Sequence, residues 1–414
     1  MYTLKEQEIE NYEKLADRYG TPLYVYNTDY IVNQYKSLSR LIKWPKLRIY
    51  YAMKANYNPA ILKILLKEGA YLDTVSPGEI ELAMLLGYQS SRLLYTANNL
   101  TDEEVEEVHS KGVLMNFDSL SRLEKYGKKY PGSKVCLRFN PEVVAGEFTK
   151  IQTGGPLTKF GILIEDVPKV KELVHKYNLT VVGLHKHTGS GIQKAEQFLE
   201  SMNNLLSIAT QNNFPHLEFM DFGGGFKVPY KPDEHEYDYE DFGNKISNVF
   251  SDFCKKYGKD LELKFEPGKY IVAEGGVLLV RVNTLKNNHG RFIAGTDSGF
   301  PQLIRPMFYG AYHHIMNISN PEESEKIYDI CGNICETGDC FATERSIPEI
   351  KEGDVLAILN AGAYCYSMGG VYNLRPMPSE VILYKGHSYL VRKKITNKEL
   401  AENILTECNL KDIK

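Results

Sequence analysis

Lys54 stands at the end of an apolar run, RIYYAMKANYN. Taken alone it is a snorkelling strand end. The small neighbours Ala52 and Ala55 leave room for something bulky beside the amine, and a desolvated lysine has a lowered pKa and can attack a carbonyl. Three consecutive glycines, Gly223, Gly224 and Gly225, exceed what a tight turn needs and let backbone N–H groups approach an anion such as a phosphate. In HKHTGS, His185 and His187 lie two apart and share one strand face. Such a pair suits two metal ligands, and one ring alone suits a stacker on a flat cofactor. Glu266 in FEPGK closes another apolar run, as a salt-bridged structural group or as the partner of a heterocyclic nitrogen. A Schiff-base lysine, a phosphate loop, an aromatic stacker and an acid for a ring nitrogen together describe a pyridoxal phosphate site. Each has a bland alternative when read singly.

Cys331, Cys335 and Cys340 are close enough in sequence to raise a metal site, but they lack the paired C-x2-C hooks of a zinc knuckle. Buried or reactive thiols are the simpler expectation.

These residues need a scaffold that gathers strand ends. Eight short β-rich runs recur: LRIYYAMKA, AYLDTVS, RLLYTAN, VLMNFDS, KVCLRFNP, TVVGLHKHTG, LEFMDFGGGF and LELKFEPGK. Helical-period stretches such as PAILKILLKEG and PGEIELAMLLGY separate them, each with a glycine stop. Eight strand-plus-helix units over about 225 residues match a (β/α)8 barrel, a TIM-like fold whose active sites gather at the C-terminal strand ends. An open doubly wound sheet has the same periodicity. The run ends supply Lys54, Arg138, Asn140, His185, His187, Gly189, Ser190, the three glycines, Glu266 and Gly268. A barrel metal hydrolase built on His185 and His187, with Asp73, Asp118 or Asp221 giving oxygens, is the structurally different enzyme.

After Gly275 the runs GVLLVRVNTL, RFIAGTDSG, DVLAILNAGAYCY and EVILYKGHSYLVRK predict a C-terminal antiparallel β-domain. The opening TPLYVYN is also strand-like. The expected division is 1–25 as a segment joining the β-domain, 26–275 as the barrel and 276–414 as the β-domain.

Composition excludes several classes. The chain is 43% hydrophobic and 25% charged with a net charge of −4, so nothing suggests a nucleic-acid or anionic-membrane footprint. No apolar leader core or run of about 18 apolar residues is present. Seven cysteines, an odd number, suit a reducing compartment. A cytoplasmic protein acting on small molecules is expected.

The motifs YYAMKAN, SPGE, HTGSGI, GGGF, EPGK, RPMFYGAYH, CETGD and GAYCYSM make the chain similar to the fold type III, pyridoxal-phosphate-dependent amino acid decarboxylases. The resemblance covers about residues 20 to 390. It implies that Lys54 carries pyridoxal 5'-phosphate, that His187 stacks on the ring and that Glu266 pairs with the ring nitrogen. Ser190, Gly223, Gly224, Gly225 and the backbone of Glu266, Pro267, Gly268 and Lys269 would hold the phosphate, with Tyr364 adding its hydroxyl. Lys269, Arg305, Tyr309, Glu336 and Tyr364 are the implied substrate set. Cys335 would protonate the product carbanion, and Cys335 and Glu336 would reach across a homodimer interface. The family usually has arginine where Lys269 stands, and lysine keeps the charge but loses the bidentate fork. Relatives that prefer ornithine or lysine carry Asp after the cysteine, whereas Glu336 stands here. The implied reaction is decarboxylation of meso-2,6-diaminopimelate to L-lysine and CO2. Ornithine, lysine or a carboxylated polyamine are the other substrates weighed. An inactive homologue that binds a partner would be free to lose Lys54 or Cys335, and both are present.

Overall fold

The apolar runs close on themselves. In the computed structural model, which describes residues 4–408 apart from 157, 193 and 235–237, eight parallel strands form a closed barrel. They follow strand β1 (Leu23–Asn27) and are β2 (Leu47–Ala52), β3 (Tyr71–Thr74), β4 (Leu93–Tyr95), β5 (Leu114–Phe117), β6 (Lys134–Arg138), β7 (Thr180–His185), β8 (Phe219–Asp221) and β9 (Glu262–Phe265). β2 pairs with β9 through Leu47 and Leu263, so the open-sheet alternative is excluded. The helices between strands start where the sequence allows. Asn58 and Ser76 cap helices Pro59–Lys67 and Pro77–Leu85, each with proline in the first turn, because such caps satisfy otherwise orphaned N–H groups.

Inside the barrel, Tyr50, Leu94, Cys136, Val182 and Phe219 pack together, with Tyr71 and Leu114 against them. Gly183 is essential here, since a Cβ would fall 2.0 Å from the Phe219 ring. The Phe219 ring thus fills the barrel, and the strands are held by side-chain packing rather than around a pore.

The described residues of Val32–Val228 and Glu236–Ile271 make up this compact unit, and those of Met1–Ile31, Pro229–His235 and Val272–Lys414 make up a second. The observed division therefore departs from the expected boundaries, chiefly by the short excursion after Val228. Polar and prolyl residues there gave no periodic signal to read.

The second unit is built on β1 and on β10 (Gly276–Asn288), β11 (Arg291–Thr296), β12 (Ile315–Asn317), β13 (Glu325–Cys331), β14 (Cys340–Pro348), β15 (Val355–Ile358), β16 (Ser379–Tyr384) and β17 (His387–Arg392). The path runs β14-β13-β11-β10-β1-β16-β17, with β15 pairing both β10 and β12. The sheet is mixed rather than purely antiparallel, because β1 runs parallel to β16 and β11 parallel to β13. Leu23 and Val25 of β1 join Val277, Leu279, Val355 and Val381 in its core, under helix Glu6–Tyr19. No helix among the described residues is long and apolar enough to cross a membrane.

Candidate active site

Side chains alternate along a strand, so the residue two beyond each inward apolar position also points inward. Above Tyr71, Leu94, Leu114, Cys136, Gly183, Phe219 and Lys264 this rule places Asp73, Thr96, Asn116, Arg138, His185, Asp221 and Glu266, all of them buried. One polar layer therefore caps the apolar filling of the barrel at the C-terminal strand ends. Sequence reading found Arg138, His185 and Glu266, weighed Asp73 and Asp221 only as metal ligands, and passed over Thr96 and Asn116. Polar residues at a fixed offset in successive apolar runs were the available signal.

Lys54 sits in the 3₁₀ turn Met53–Ala55 that follows β2. Its Nζ lies 2.5 Å from Asp73 Oδ2, and Thr96 Oγ1 donates to the other Asp73 oxygen. The lysine is thus ion-paired and 37% exposed along its side chain, not desolvated as the apolar run suggested. The β-strand ends one residue early enough for the turn to lift the amine towards solvent. The two alanines also have a different use. A Cβ on Gly268 would come within 2.8 Å of Ala55 Cβ and 3.1 Å of Ala52 Cβ, so their smallness admits the Glu266–Lys269 backbone.

His185 Nε2 lies 3.0 Å from Glu266 Oε2. Burial, reinforced by the nearby Asp73 charge, pushes the Glu266 carboxyl up to about 8. Burial and Glu266 push Asp221 up to about 7, and burial brings His185 down to about 4. The His185–Glu266 contact is accordingly a hydrogen bond between neutral groups near pH 7. Glu266 also shares a side-chain hydrogen bond with the Asp221 carboxyl, and its buried Oε1 receives none from an N–H or hydroxyl. Ligand atoms of His185, Asp221 and Glu266 lie within 4.8 Å of one another.

His187 does not join that set. Its Nδ1 accepts the Gly224 N–H at 3.2 Å, and burial with the Arg138 and Lys54 charges holds its pKa well below the usual histidine value. The His185 and His187 pair weighed as metal ligands is therefore split, because β7 ends at His185 and the chain turns before His187.

The glycine loop is largely self-satisfied. Gly223 N–H donates to Asp221 Oδ1 at 2.9 Å and Gly224 N–H to His187. Gly225 alone of the three has no N–H partner among the described residues. Gly223 and Gly225 have φ of 65° and 112°, which only glycine adopts readily. A Cβ on Gly225 would press on the Gly189 carbonyl at 2.8 Å, and Ile192 N–H bonds to Gly225 O at 2.9 Å. The Ser190 loop and the glycine loop are thus one structure. Glu266 N–H is engaged by Gly223 O at 2.9 Å and Pro267 has no N–H, so neither of these two offers a backbone donor.

Lys269 is buried, and its Nζ pairs with Glu147 Oε2 at 2.6 Å. Glu147 was not foreseen. It lies on the stretch after β6, where its N–H bonds to Ser190 O at 3.0 Å, and nothing in its local pattern marks it.

In the second unit Arg305 is buried, with Nη1 3.2 Å from His313 Nε2 and its guanidinium 4.5 Å above the Tyr230 ring. His313 Nδ1 donates to Leu359 O at 2.8 Å, which leaves Nε2 to accept from Arg305. Tyr309 is half-buried, and burial raises its phenol. Tyr364 holds φ of 56°, costly for a bulky residue and found mostly at functional positions. Cys335 is exposed, and its Sγ lies 3.2 Å from Asn373 Oδ1. Glu336 accepts from Tyr372 at 3.0 Å. Asp339 organises the turn. Its carboxylate accepts the N–H groups of Phe300 and Ile334 at 2.6 and 2.7 Å. Cys331, Cys335 and Cys340 do not converge, since Cys335 turns to Asn373 while the other two face each other.

Residues 28–273 match the family model described as pyridoxal-dependent decarboxylase, pyridoxal binding domain. The chain is 43% identical to diaminopimelate decarboxylase of Methanothermobacter thermautotrophicus over 94% of this chain and 92% of that protein. It is 34% identical to diaminopimelate decarboxylase of Aquifex aeolicus, over 92% and 91%. Among solved structures it is similar to diaminopimelate decarboxylase from Helicobacter pylori complexed with L-lysine. That match has a TM-score of 0.88 and 29% identity, covering 96% of this chain and all of that one.

Proposed function

The chain belongs to the pyridoxal-dependent decarboxylases, and within that family we propose that it removes CO2 from meso-2,6-diaminopimelate to give L-lysine. The carrying observation is the buried carboxyl of Glu266, whose Oε1 receives no hydrogen bond from an N–H or hydroxyl, in the layer that Lys54 enters through Asp73. A buried carboxyl held at about 8 has a proton to give to a ring nitrogen and keeps the resulting cation company once ionised. This fits pyridoxal phosphate better than a metal, which would leave Lys54 and the glycine loop without a role.

When bound, pyridoxal phosphate supplies the electron sink for the carbanion left by CO2 loss. Lys54 carries the cofactor, and Asp73 fixes the direction from which its amine approaches. Glu266 holds the proton at the ring nitrogen, backed by His185. His187, neutral and fixed by Gly224, offers a flat face for the ring. Ser190, the Gly225 N–H and the N–H groups of Gly268 and Lys269 hold the phosphate, with Tyr364 adding a hydroxyl. Gly223 and Gly224 shape that loop and do not donate to it. Cys335 gives the proton to the carbanion, and it and Glu336 serve the site of a second copy in a homodimer. Lys269, Arg305, Tyr309, Glu336 and Tyr364 read the substrate's far charges.

One observation favours a different basic amino acid as substrate. The charge of Lys269 is taken by Glu147, so a distal carboxylate must compete for it. CO2 release from diaminopimelate, lysine and ornithine by the holoenzyme decides between them. Preference for diaminopimelate supports the proposal, and preference for ornithine or lysine overturns it.

A further inference from the structure

The strand pair β13 and β14 opposes Cys331, the last residue of one, to Cys340, the first of the other. Their sulfurs lie 2.8 Å apart. Opposed residues of an antiparallel pair have Cα atoms about 4.5–5.5 Å apart, inside the window a disulfide requires, and although the ladder is irregular between Ile330 and Cys331 the two sulfurs already face each other. Both thiols are partly exposed and therefore reachable by a small oxidant. Between them lies the turn that carries Cys335 and Glu336, and its neck is already closed by Gly332 N–H to Asp339 O at 2.8 Å.

We propose that Cys331 and Cys340 are an oxidisable dithiol, closed by peroxides into a disulfide across the neck of the Cys335 turn. Either sulfur can donate to the other, and at both the Asp329 charge opposes and Arg291 favours the thiolate. The sulfur that is the thiolate attacks one peroxide oxygen, the O–O bond breaks, and water leaves after protonation, giving a sulfenic acid. The other sulfur then attacks the sulfenic sulfur, the S–O bond breaks, the S–S bond forms and a second water leaves. Two thiols and one hydrogen peroxide thus give one disulfide and two waters, with sulfur oxidised and peroxide oxygen reduced.

Because the sulfurs already touch, the disulfide preserves the turn. Cys335 points its thiol at Asn373, away from the pair, and is spared while the partner thiol of the pair resolves the sulfenic acid. Only this consequence for turnover rests on the decarboxylase assignment.

The test uses reduced holoenzyme exposed to equimolar hydrogen peroxide, followed by alkylation and peptide mapping. The expected map shows two of the seven thiols lost as a Cys331–Cys340 linkage, Cys335 still alkylated, catalytic rate retained, and full reversal by dithiothreitol. Cys331→Val and the Cys331→Val/Cys340→Val pair keep an apolar cross-strand contact and should lose activity to peroxide several-fold faster than wild type. A wild-type map with Cys331 and Cys340 free and Cys335 oxidised overturns the dithiol. Equal inactivation rates for wild type and variants overturn its protective part. If the enzyme shows no decarboxylase activity before oxidation, the functional assignment fails while the map still decides the dithiol.

Discussion

The polar layer of the barrel and the Cys335 turn of the β-unit place reactive groups by opposite means. In the barrel, strand backbones fix Asp73, Arg138, His185, Asp221 and Glu266 in buried positions, and the layer's polar groups answer one another. Lys54 meets Asp73, and His185 meets Glu266. In the turn, Cys335 and Glu336 are exposed and each is held by one neighbour, Asn373 or Tyr372. Burial makes the first region an electrostatically preorganised site, where removing one member exposes the others to uncompensated charge. Exposure makes the second a donor of groups whose energetic weight appears only when substrate is present.

The largest effect should come from breaking the first region at its reactive member. Lys54→Ala is expected to abolish CO2 release and the cofactor's visible absorbance together; turnover with the band absent would dissociate the lysine from the chemistry. In the second region, Cys335→Ala should lower kcat by roughly 10²–10⁴-fold with KM nearly unchanged, as for loss of a general acid. Stopped assays over a substrate range check this, and a rise in KM alone would show that the thiol only binds. Neither the fold nor Tm should move in that variant, because the side chain is exposed.

A smaller effect tests burial itself. Glu147→Gln leaves Lys269 buried without its counter-charge and should cost about 3 kcal/mol of stability, read from the urea midpoint. Glu147→Gln/Lys269→Met should recover part of that loss. By contrast, Glu349→Gln, which breaks the exposed Lys326–Glu349 pair of the β-unit, should leave the midpoint unmoved. Similar losses in both units would remove the contrast.

The smallest expected effect is in pH dependence. Glu266 and Asp221, raised to about 8 and about 7, hold protons in the folded state that the unfolded chain has released. Their contribution is full below the unfolded carboxyl pKa and is lost as pH rises through the folded values. His185, lowered to about 4, acts oppositely, adding stability from about pH 4 to its unfolded value near 6.5. Above about pH 6.5 the carboxyl loss works against Lys186, which burial lowers to about 7 and which therefore adds stability as pH rises past that value. The Glu266 part is read as the difference in slope between cofactor-free wild type and Glu266→Gln in a Tm series, at most about 1.4 kcal/mol per pH unit. Identical slopes in the two proteins would place the proton elsewhere.

Much of this was legible beforehand for a physical reason. Barrel strands and helices follow from periodicity, so LRIYYAMKA and PAILKILLKEG could be placed, and the site residues closing those runs came with them. Closure was not legible, because β2 and β9 meet through contacts about 215 residues apart that no local pattern encodes. The Lys54–Asp73 and Lys269–Glu147 pairs were missed for the same reason. The second use of Ala52 and Ala55 was not legible, because a small residue leaves the same sequence trace whether it admits a ligand or another backbone. The mixed character of the β-unit sheet was hidden as well, since one strand's pattern does not state the direction of its neighbour.

Lys54 is not the only lysine in this part of the barrel with the chemistry to carry a carbonyl cofactor. Lys186 is fully buried against Phe198, and burial lowers it to about 7, which leaves a substantial free-amine fraction at neutral pH. Borohydride reduction of holoenzyme followed by peptide mapping separates the two most directly. The pyridoxyl group is expected on the peptide containing Lys54, with Lys186 unmodified. A pyridoxyl group on Lys186, or on neither lysine, would contradict the role of Lys54.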